Sequence, residues 1–261
     1  MATSLERDFP MVLKIFDRYR EKLPGLDGYE VIGLVPDRIA YIHERHGISI
    51  SAEGSNNWLV IRQDGPPLQG RPSILVRGSD NLIVIETPTA FSGTVHMGSG
   101  NVCVLRGHQH ALALEVNMYD RSTLIWGRAS STYRTRIWMH GEKRLIVGDD
   151  CLFSENIMMH TSDHHSIIDL ASMQQTNFPA EVIIADHVWI GPNVTILPGV
   201  TIGLGAIISS GSVVTKAVGA TELWGGSPAR LLRQNVSWVT SHPAVREEID
   251  ALKMILAART Q

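Results

Sequence analysis

The chain has 261 residues, and 44% of them are apolar, so it can bury a sizeable core and is not broadly disordered. Its 23 basic and 26 acidic side chains give a net charge of −3, which excludes a general electrostatic attraction to nucleic acid or to an anionic membrane. Aromatic residues make up only 6% while glycine occurs 23 times, a balance typical of a regular β architecture with tight turns.

The first 80 residues are predicted to form a helix and a β lead-in. Apolar residues between positions 11 and 19 fall on one helical stripe, and Pro24-Gly25 ends the run. From about Glu30, short apolar segments alternate with Gly, Pro, Asn and Asp, as short strands do. These strands are expected at 31–35, 48–50, 58–61 and 74–76.

The rest of the chain repeats. Three apolar strands begin about 21 residues apart, at Asn101, Ser122 and Arg144. Between 184 and 219 every sixth residue is a branched aliphatic. This run comprises Ile184, Ile190, Ile196, Ile202, Ile208 and Val214. A shorter run at the same period comprises Val147, Phe153 and Met159.

A six-residue period predicts a coil with three flat faces. Each unit is one short strand and a corner, its aliphatic residue points inward, and three units close a coil of 18 residues. Ile184 is then expected to stack on Ile202, and Ile190 on Ile208. The shorter run predicts an inward residue at 183, whereas the longer run starts at 184. The polar segment between them is therefore predicted to leave the coil as a loop over 160–183.

The segment 184–219 resembles the hexapeptide-repeat proteins that form a left-handed parallel β-helix, and most of all the acyltransferases that use acetyl-CoA. The matching blocks are Asp186-His-Val-Trp-Ile-Gly191, Val213-Val-Thr-Lys216 and Gly226-Ser-Pro-Ala-Arg230. A further block, Ser162-Asp-His-His-Ser-Ile167, resembles a loop of polysaccharide and sugar O-acetyltransferases. The resemblance implies a mainly β fold with a β-helix domain over 81–238, and an acetyl-CoA-dependent O-acetyltransferase. It also implies a sugar or polysaccharide hydroxyl as acceptor and a homotrimer with active sites between subunits.

The histidines of the loop are the candidates for the general base. A sugar hydroxyl is a poor nucleophile, and a histidine near neutral pKa can accept its proton. The resemblance assigns this role to His165, whose spacing to Trp189 also matches the family. Counting forward from Gly148 points instead to His164, so the choice stays open. Asp163 is the candidate acidic partner, with Glu155 from a neighbouring coil as the alternative.

Two residues of the next coil are candidates for the thioester side. Trp189 is expected to face outward, either as a wall of the acetyl-CoA or acceptor tunnel or as a subunit-interface residue. Gly191 lets the backbone approach the thioester. Pro192 follows it and has no N–H, so the backbone donor that some relatives offer the thioester carbonyl is missing.

Coenzyme A carries a pyrophosphate and a 3′-phosphate, which call for basic side chains. The resemblance assigns its contacts to Thr215, Lys216 and Arg230, with Arg233 a little further along the chain. The alternative is an ordinary solvated basic end. No metal is expected.

The segment 239–261 is predicted to form a C-terminal helix, because Val245, Ile249, Leu252 and Leu256 make one apolar stripe. Cys103 and Cys151 lie in apolar runs and are expected to be buried free thiols in a reducing compartment. No stretch reaches the length of a membrane span. A cytoplasmic protein without membrane insertion or nucleic-acid partner is the expectation.

Two other functions fit the same fold. One is a zinc enzyme of the β-helix carbonic anhydrase type, for which His160 and His165 have a plausible separation but a well-placed third histidine is missing. The other is a non-catalytic trimeric scaffold, against which the histidine loop and the Thr-Lys and Arg blocks argue. Acetylation of an amine in place of a hydroxyl is a variant of the acetyltransferase hypothesis.

Overall fold

A computed structural model describes residues 28–86 and 88–258, except for the side chains of 88–89 and 108–110. The predicted helix between positions 11 and 19 lies outside the described residues. The described part is a parallel β-solenoid whose coils present three faces. This confirms the predicted fold class, a mainly β hexapeptide-repeat solenoid with a C-terminal helix.

The first face is an eight-stranded sheet in which successive coils lie side by side. All of its strand pairs are parallel except the first, in which β1 runs antiparallel to β3. Its strands are β1 (Tyr29–Gly33), β3 (Trp58–Arg62), β5 (Leu82–Ile85), β7 (Val102–Leu105), β9 (Thr123–Trp126), β11 (Arg144–Val147), β16 (Val182–Ile184) and β19 (Thr201–Ile202).

A 13-stranded sheet forms the other two faces. Three long strands cross the corner between them: β6 (Pro88–Ser99), β8 (His108–Asp120) and β10 (Ser131–Met139). The second face continues from their first halves through β12 (Leu152–Phe153), β17 (Trp189–Ile190), β20 (Ile207–Ile208), β22 (Glu222–Gly226) and β23 (Ala229–Gln234). The third face contains β2 (Ser49–Ala52), β4 (Ser73–Val76), the second halves of the long strands, β13 (Ile157–His160), β18 (Thr195–Ile196) and β21 (Val213–Val214).

The predicted aliphatic stack is the core of the solenoid. Ile184 pairs with Ile202 and Ile190 with Ile208, so the expected stacking of residue i on i+18 is confirmed. The six aliphatic residues of this run are at most 2% exposed. Each coil buries its own inward residues and pairs its backbone with the coils on both sides, so the stack is continuous.

The predicted loop leaves the solenoid between the third and the first face. Val147 pairs with Ile184, 37 positions further on, whereas the following coil advances by 18. The 19 extra residues form an excursion that contains a two-stranded hairpin of β14 (Ile168–Asp169) and β15 (Gln174–Gln175). The coils on either side stay in register because the loop leaves and re-enters at the same corner.

The coils begin before the expected boundary at residue 81. β2 pairs in parallel with β4, and β3 with β5, so the predicted lead-in is itself coiled. A helix that the sequence analysis did not predict, α1 (Pro36–His46), joins β1 to β2. Its first turn begins with a proline, and Gly47 ends it in the left-handed conformation with φ +70°.

The cysteines are buried as expected, and the C-terminal helix is present but begins at Arg246, seven residues later than the predicted start at 239. Cys103 and Cys151 are free and buried, and burial raises the pKa of each thiol to about 12. The helix α2 spans Arg246–Ala258 and buries none of its residues within this chain. Neither α1 nor α2 is long and apolar enough to span a bilayer, as judged over the residues that the structure describes.

Candidate active site

An open cleft of about 600 Å³ lies where the third face meets the excursion loop. Strand ends of three successive coils line its floor, and the start of the loop forms its wall. The lining residues are Tyr119, Arg136, Trp138, His140, Met158, His160, Asp163, His164 and His165. The three histidines and the aspartate that the sequence singled out are therefore together in one cleft.

His164 is held by an aromatic cluster. Its ring centroid lies 5.3 Å from that of Tyr119, 5.4 Å from that of Trp138 and 5.9 Å from that of His140. Its backbone is left-handed at φ +62°, and its N–H donates to the Ser162 hydroxyl at 3.1 Å. Its Nε2 is shielded from solvent and meets no hydrogen-bond partner in the described part of the chain. His164 is thus packed into the wall of the cleft.

The cleft favours neutral histidines. Burial lowers the pKa of His164, and the neighbouring His140 and His165 lower it further, against the opposing charge of Asp163. Burial also lowers the pKa of His160, with His164 adding to the effect. A neutral imidazole is the form that accepts a proton, so the environment suits general-base chemistry at neutral pH.

His165 is exposed at the mouth of the cleft, and Asn177 fixes the loop around it. The Asn177 Nδ2 donates to Asp163 Oδ2 at 2.8 Å and to the His165 carbonyl at 2.8 Å. The carboxylate of Asp163 is therefore engaged by an amide, and no hydrogen bond joins it to His165 among the described residues. The two predicted catalytic residues are close together, held by a side chain that the sequence analysis did not consider.

Trp189 lies on the second face, away from the histidine cleft. It is 38% exposed, as predicted for an outward residue, and its ring lies 6.4 Å from that of Trp238. Trp238 in turn stacks on His187 at 4.4 Å. Gly191, which follows β17, is close to the next coil, because a Cβ there would lie 2.8 Å from the Ser210 nitrogen.

The four candidate coenzyme A residues fall in two places. Thr215 and Lys216 directly follow β21 and are exposed at the corner where, two coils earlier, the chain leaves β13 for the loop. Arg230 and Arg233 lie on β23, the last strand of the second face, and are also exposed. The Arg230 Nη1 donates to the Ala229 carbonyl at 2.9 Å.

Within one chain the predicted residues thus form two groups. His165, Asp163, Thr215 and Lys216 belong to the corner of the third face. Trp189, Gly191, Arg230 and Arg233 belong to the second face. The filled aliphatic core lies between the two faces.

The sequence analysis missed the aromatic floor of the cleft. Tyr119 and His140 are 21 positions apart, and Trp138 pairs directly with His160 on the next coil. They meet only because the coils stack. The 21-residue repeat seen at Asn101, Ser122 and Arg144 was the signal that could have aligned them. Among the described residues, no three His, Cys, Asp or Glu side chains are arranged to hold a metal ion.

Comparison with known proteins shows similarity to bacterial transferases. The family described as bacterial transferase hexapeptide (six repeats) matches residues 181–216. A polysialic acid O-acetyltransferase of Escherichia coli O1:K1 / APEC is 37% identical over 100 residues, which are 38% of this chain and 33% of that protein. A polysialic acid O-acetyltransferase of Neisseria meningitidis is 25% identical over 145 residues, 55% of this chain and 66% of that protein.

The likeness extends further in three dimensions. The crystal structure of the polySia-specific acetyltransferase NeuO matches with a TM-score of 0.72 at 25% identity, covering 81% of this chain and 98% of NeuO. The described part of the chain is therefore a β-solenoid, and its residues 181–216 carry the six-residue repeats described for a class of bacterial transferases. Within that class, it is similar to polysialic acid O-acetyltransferases, although the sequence matches span only about a third and two thirds of the two curated relatives.

Proposed function

We propose that the chain transfers an acetyl group from acetyl-CoA to a hydroxyl of an acidic polysaccharide, with His165 as the general base. The His165 imidazole takes the hydroxyl proton while the oxygen attacks the thioester carbonyl. The C–S bond then breaks, and the imidazolium returns its proton to the departing sulfur. Because the thioester is a cytoplasmic metabolite, the reaction is placed in the cytoplasm.

The observation that carries the proposal is the cleft in which three histidines and an aspartate meet an aromatic floor. Burial lowers the pKa values of His164 and His160, which favours the neutral form of these two histidines in the cleft that they share with His165. The exposed His165 has the freedom to approach a bound hydroxyl, whereas the Nε2 of His164 is covered. This difference in exposure supports His165 over His164. The similarity to polysialic acid O-acetyltransferases supports an acidic polysaccharide as the acceptor.

Binding of acetyl-CoA, the acetyl donor, requires cations for its phosphates, and the chain has exposed basic side chains that can supply them. Lys216, Arg230 and Arg233 are exposed and can meet the pyrophosphate and 3′-phosphate of coenzyme A. Trp189 offers an exposed aromatic face for the acyl arm. The lack of an N–H at Pro192 means that the carbonyl oxygen must be stabilised by another donor.

The complete site is proposed to form between two copies of the chain in a homotrimer. The histidine corner and the Trp189 face belong to different faces separated by a filled core, so one chain cannot bring them together. The excursion loop also exposes large apolar side chains. They are Ile167, Leu170, Met173 and Phe178, all at least 58% exposed. Such a patch on a short loop is typical of a subunit contact.

The test is acetyl transfer to polysialic acid, followed by mass spectrometry, with single His165→Ala and His164→Ala variants. Loss of at least about a hundredfold in kcat is expected for His165→Ala, because a general base contributes that much. His164→Ala should lose less and should bind acetyl-CoA normally in a thermal melt. The reverse order would assign the base to His164. No transfer and no thermal shift with acetyl-CoA would overturn the proposal and return attention to zinc analysis or a scaffold role.

A complementation experiment tests the shared site. Chains carrying His165→Ala and chains carrying Trp189→Ala are each expected to be inactive as pure oligomers. Unfolded together and refolded as mixed oligomers, they should regain activity at interfaces that combine one intact histidine corner with one intact tryptophan face. Mixtures of the His165→Ala chain with itself, taken through the same procedure, are the control. Absence of any recovery in mixed oligomers would mean that each chain builds its site alone.

A further inference from the structure

An open groove on the third face runs from the histidine cleft towards the N-terminal coils. A second cavity of about 380 Å³ lies beside the cleft, and Tyr119 lines both of them. The second cavity is lined by residues from coils that precede the loop, and Arg77, His96 and Asn117 are among them. None of these three residues was singled out by the sequence analysis.

The groove follows a row of outward side chains in strict register. Leu75 pairs with His96, His96 with Asn117, and Asn117 with Trp138, which pairs with His160. Neighbouring strands lie about 4.8 Å apart, so the four steps of this row span about 19 Å. The row is long enough for several sugar rings of an extended chain whose acetylated ring lies at the histidines.

A second row runs parallel to the first and opens the groove. Val76 pairs with Met97, so Arg77 lies beside Gly98, and Gly98 lies beside Tyr119 on the next coil. Gly98 has no side chain to fill the space, and a Cβ there would lie 1.9 Å from the Tyr119 carbonyl oxygen. Gly98 lines the cavity together with Arg77 and Tyr119 and adds no side chain to it.

The polar groups of the groove are available to a ligand. The side chains of Arg77, His96 and Asn117 make no hydrogen bond or ion pair within residues 28–86 and 88–258. Arg136, further along the third face, differs because its Nε lies 3.1 Å from the carboxylate of Glu115. The groove therefore offers one arginine without an ion pair among the described residues, the hydrogen-bonding side chains of His96 and Asn117, and two aromatic rings.

We propose that this surface, lined by Arg77, His96, Asn117 and Tyr119, is an acceptor groove that binds the sugar rings next to the acetylated one in a polymeric acidic glycan. The inference rests on the proposed acetyltransferase function and extends it. Tyr119 and Trp138 provide apolar faces for sugar rings. Asn117 and His96 hydrogen-bond to ring hydroxyls, and Arg77 pairs with one carboxylate at a fixed distance from the reacting ring.

The composition of the groove fits a glycan better than other polymers. A nucleic acid would need several basic contacts along its backbone, and the groove holds one unpaired arginine flanked by Asp120. A folded protein partner would favour a larger apolar patch. Polar side chains beside the aromatic rings of Tyr119 and Trp138, in an open cavity that shares Tyr119 with the histidine cleft, suit an extended sugar chain.

The test compares a short and a long acceptor. Initial rates are measured at saturating acetyl-CoA with disialic acid and with long-chain polysialic acid. Arg77→Ala is expected to raise the KM for the long chain about tenfold, the loss of one charge-assisted hydrogen bond, with a much smaller change for disialic acid. Arg77→Lys should recover part of the loss because it keeps the charge. Asn117→Ala should act in the same direction as Arg77→Ala.

The matched control is Arg38→Ala, an exposed arginine of α1 that lines neither cavity. It should leave both KM values unchanged. Calorimetric binding of long-chain polysialic acid to the His165→Ala protein provides a second measurement that needs no turnover. If the wild type acetylates both glycans and the Arg77 and Asn117 variants bind the long chain normally, the acceptor-groove proposal is refuted and the proposed acetyltransferase function is kept. If the long chain binds through Arg77 but no glycan is acetylated, the function fails and the groove stands.

Discussion

Trp238 lies in the segment between β23 and α2, called the tail below, and packs against His187 of the solenoid. This contact allows a quantitative prediction. Trp238 is 9% exposed, and its ring stacks on His187 with an interplanar angle of 8°. Its Nε1 donates to the His187 carbonyl at 2.9 Å, while the His187 Nε2 donates to the Trp238 carbonyl at 3.1 Å. The Nδ1 of His187 lies 2.8 Å from Asp150 Oδ2, which fixes the ring.

Trp238→Ala should lower the free energy of unfolding by about 3–5 kcal/mol, the usual cost of deleting a buried tryptophan. Trp238→Phe keeps an aromatic ring and loses one hydrogen bond, so it should cost about 1–2 kcal/mol. Because Trp189 packs against Trp238, the alanine variant should also raise the KM for acetyl-CoA more than it changes kcat.

Urea unfolding followed by circular dichroism measures the stability terms, and initial rates measure the kinetic one. The phenylalanine variant is the matched control, because it separates loss of the ring from loss of the hydrogen bond. Equal destabilisation by the two substitutions, or a cost below about 1 kcal/mol for alanine, would refute the view that ring burial anchors the tail.

Three further predictions concern stability. Gly93→Ala should lower the free energy of unfolding by more than about 3 kcal/mol, because the φ of Gly93 is +109° and the new Cβ would lie 1.9 Å from a carbonyl oxygen. Gly211→Ala, at φ +68° and with no atom near the new Cβ, should lower it by about 1 kcal/mol. Thermal melts of the two variants test the difference. Glu86→Gln should cost about 2 kcal/mol in urea unfolding, since the buried carboxylate accepts hydrogen bonds from Arg128 and the Gly107 N–H and forms an ion pair with Arg106 at 3.5 Å. Stability should fall as pH drops below about 6.5, because His160 and His164 have pKa values lowered from 6.5 when folded, so the unfolded chain binds more protons in this range. Glutamine at both positions should flatten that dependence.

The coils with an 18-residue repeat could be predicted because their sequence records their geometry. Each coil holds three six-residue units, and each unit has one inward aliphatic residue. The spacing of Ile184, Ile190 and Ile196 therefore predicts both the six-residue period and the core positions. The N-terminal coils advance by 20 to 24 residues and contain strands as long as 13 residues. Their corners are set by single glycines such as Gly93 and not by a six-residue pattern, so the solenoid was expected to begin later than it does.

The loop residues of the candidate site could be predicted from the sequence, whereas the aromatic residues of its floor could not. His160, Asp163, His164 and His165 are neighbours in sequence, and the phase break on either side of them already indicates an excursion. The aromatic cluster around His164 comes from earlier coils and is assembled by stacking. Asn177 reaches the loop from its far end across 14 residues, a contact that depends on the fold of the hairpin.

The two sides of the proposed reaction are arranged differently by the solenoid. The acceptor side is a strip of one face, so its length grows with each coil and adding coils N-terminal to the loop extends it by about 4.8 Å each. The proposed donor residues Trp189 and Arg230 belong to another face, and in the proposed homotrimer a second copy of the chain brings that face to the histidines. The preference for long acceptors therefore depends on the number of coils, whereas acetyl-CoA binding depends on the assembly of the subunits. A substitution at Arg77 should change the first without changing the second, and a substitution at Trp189 should affect acetyl-CoA without changing the preference for long acceptors.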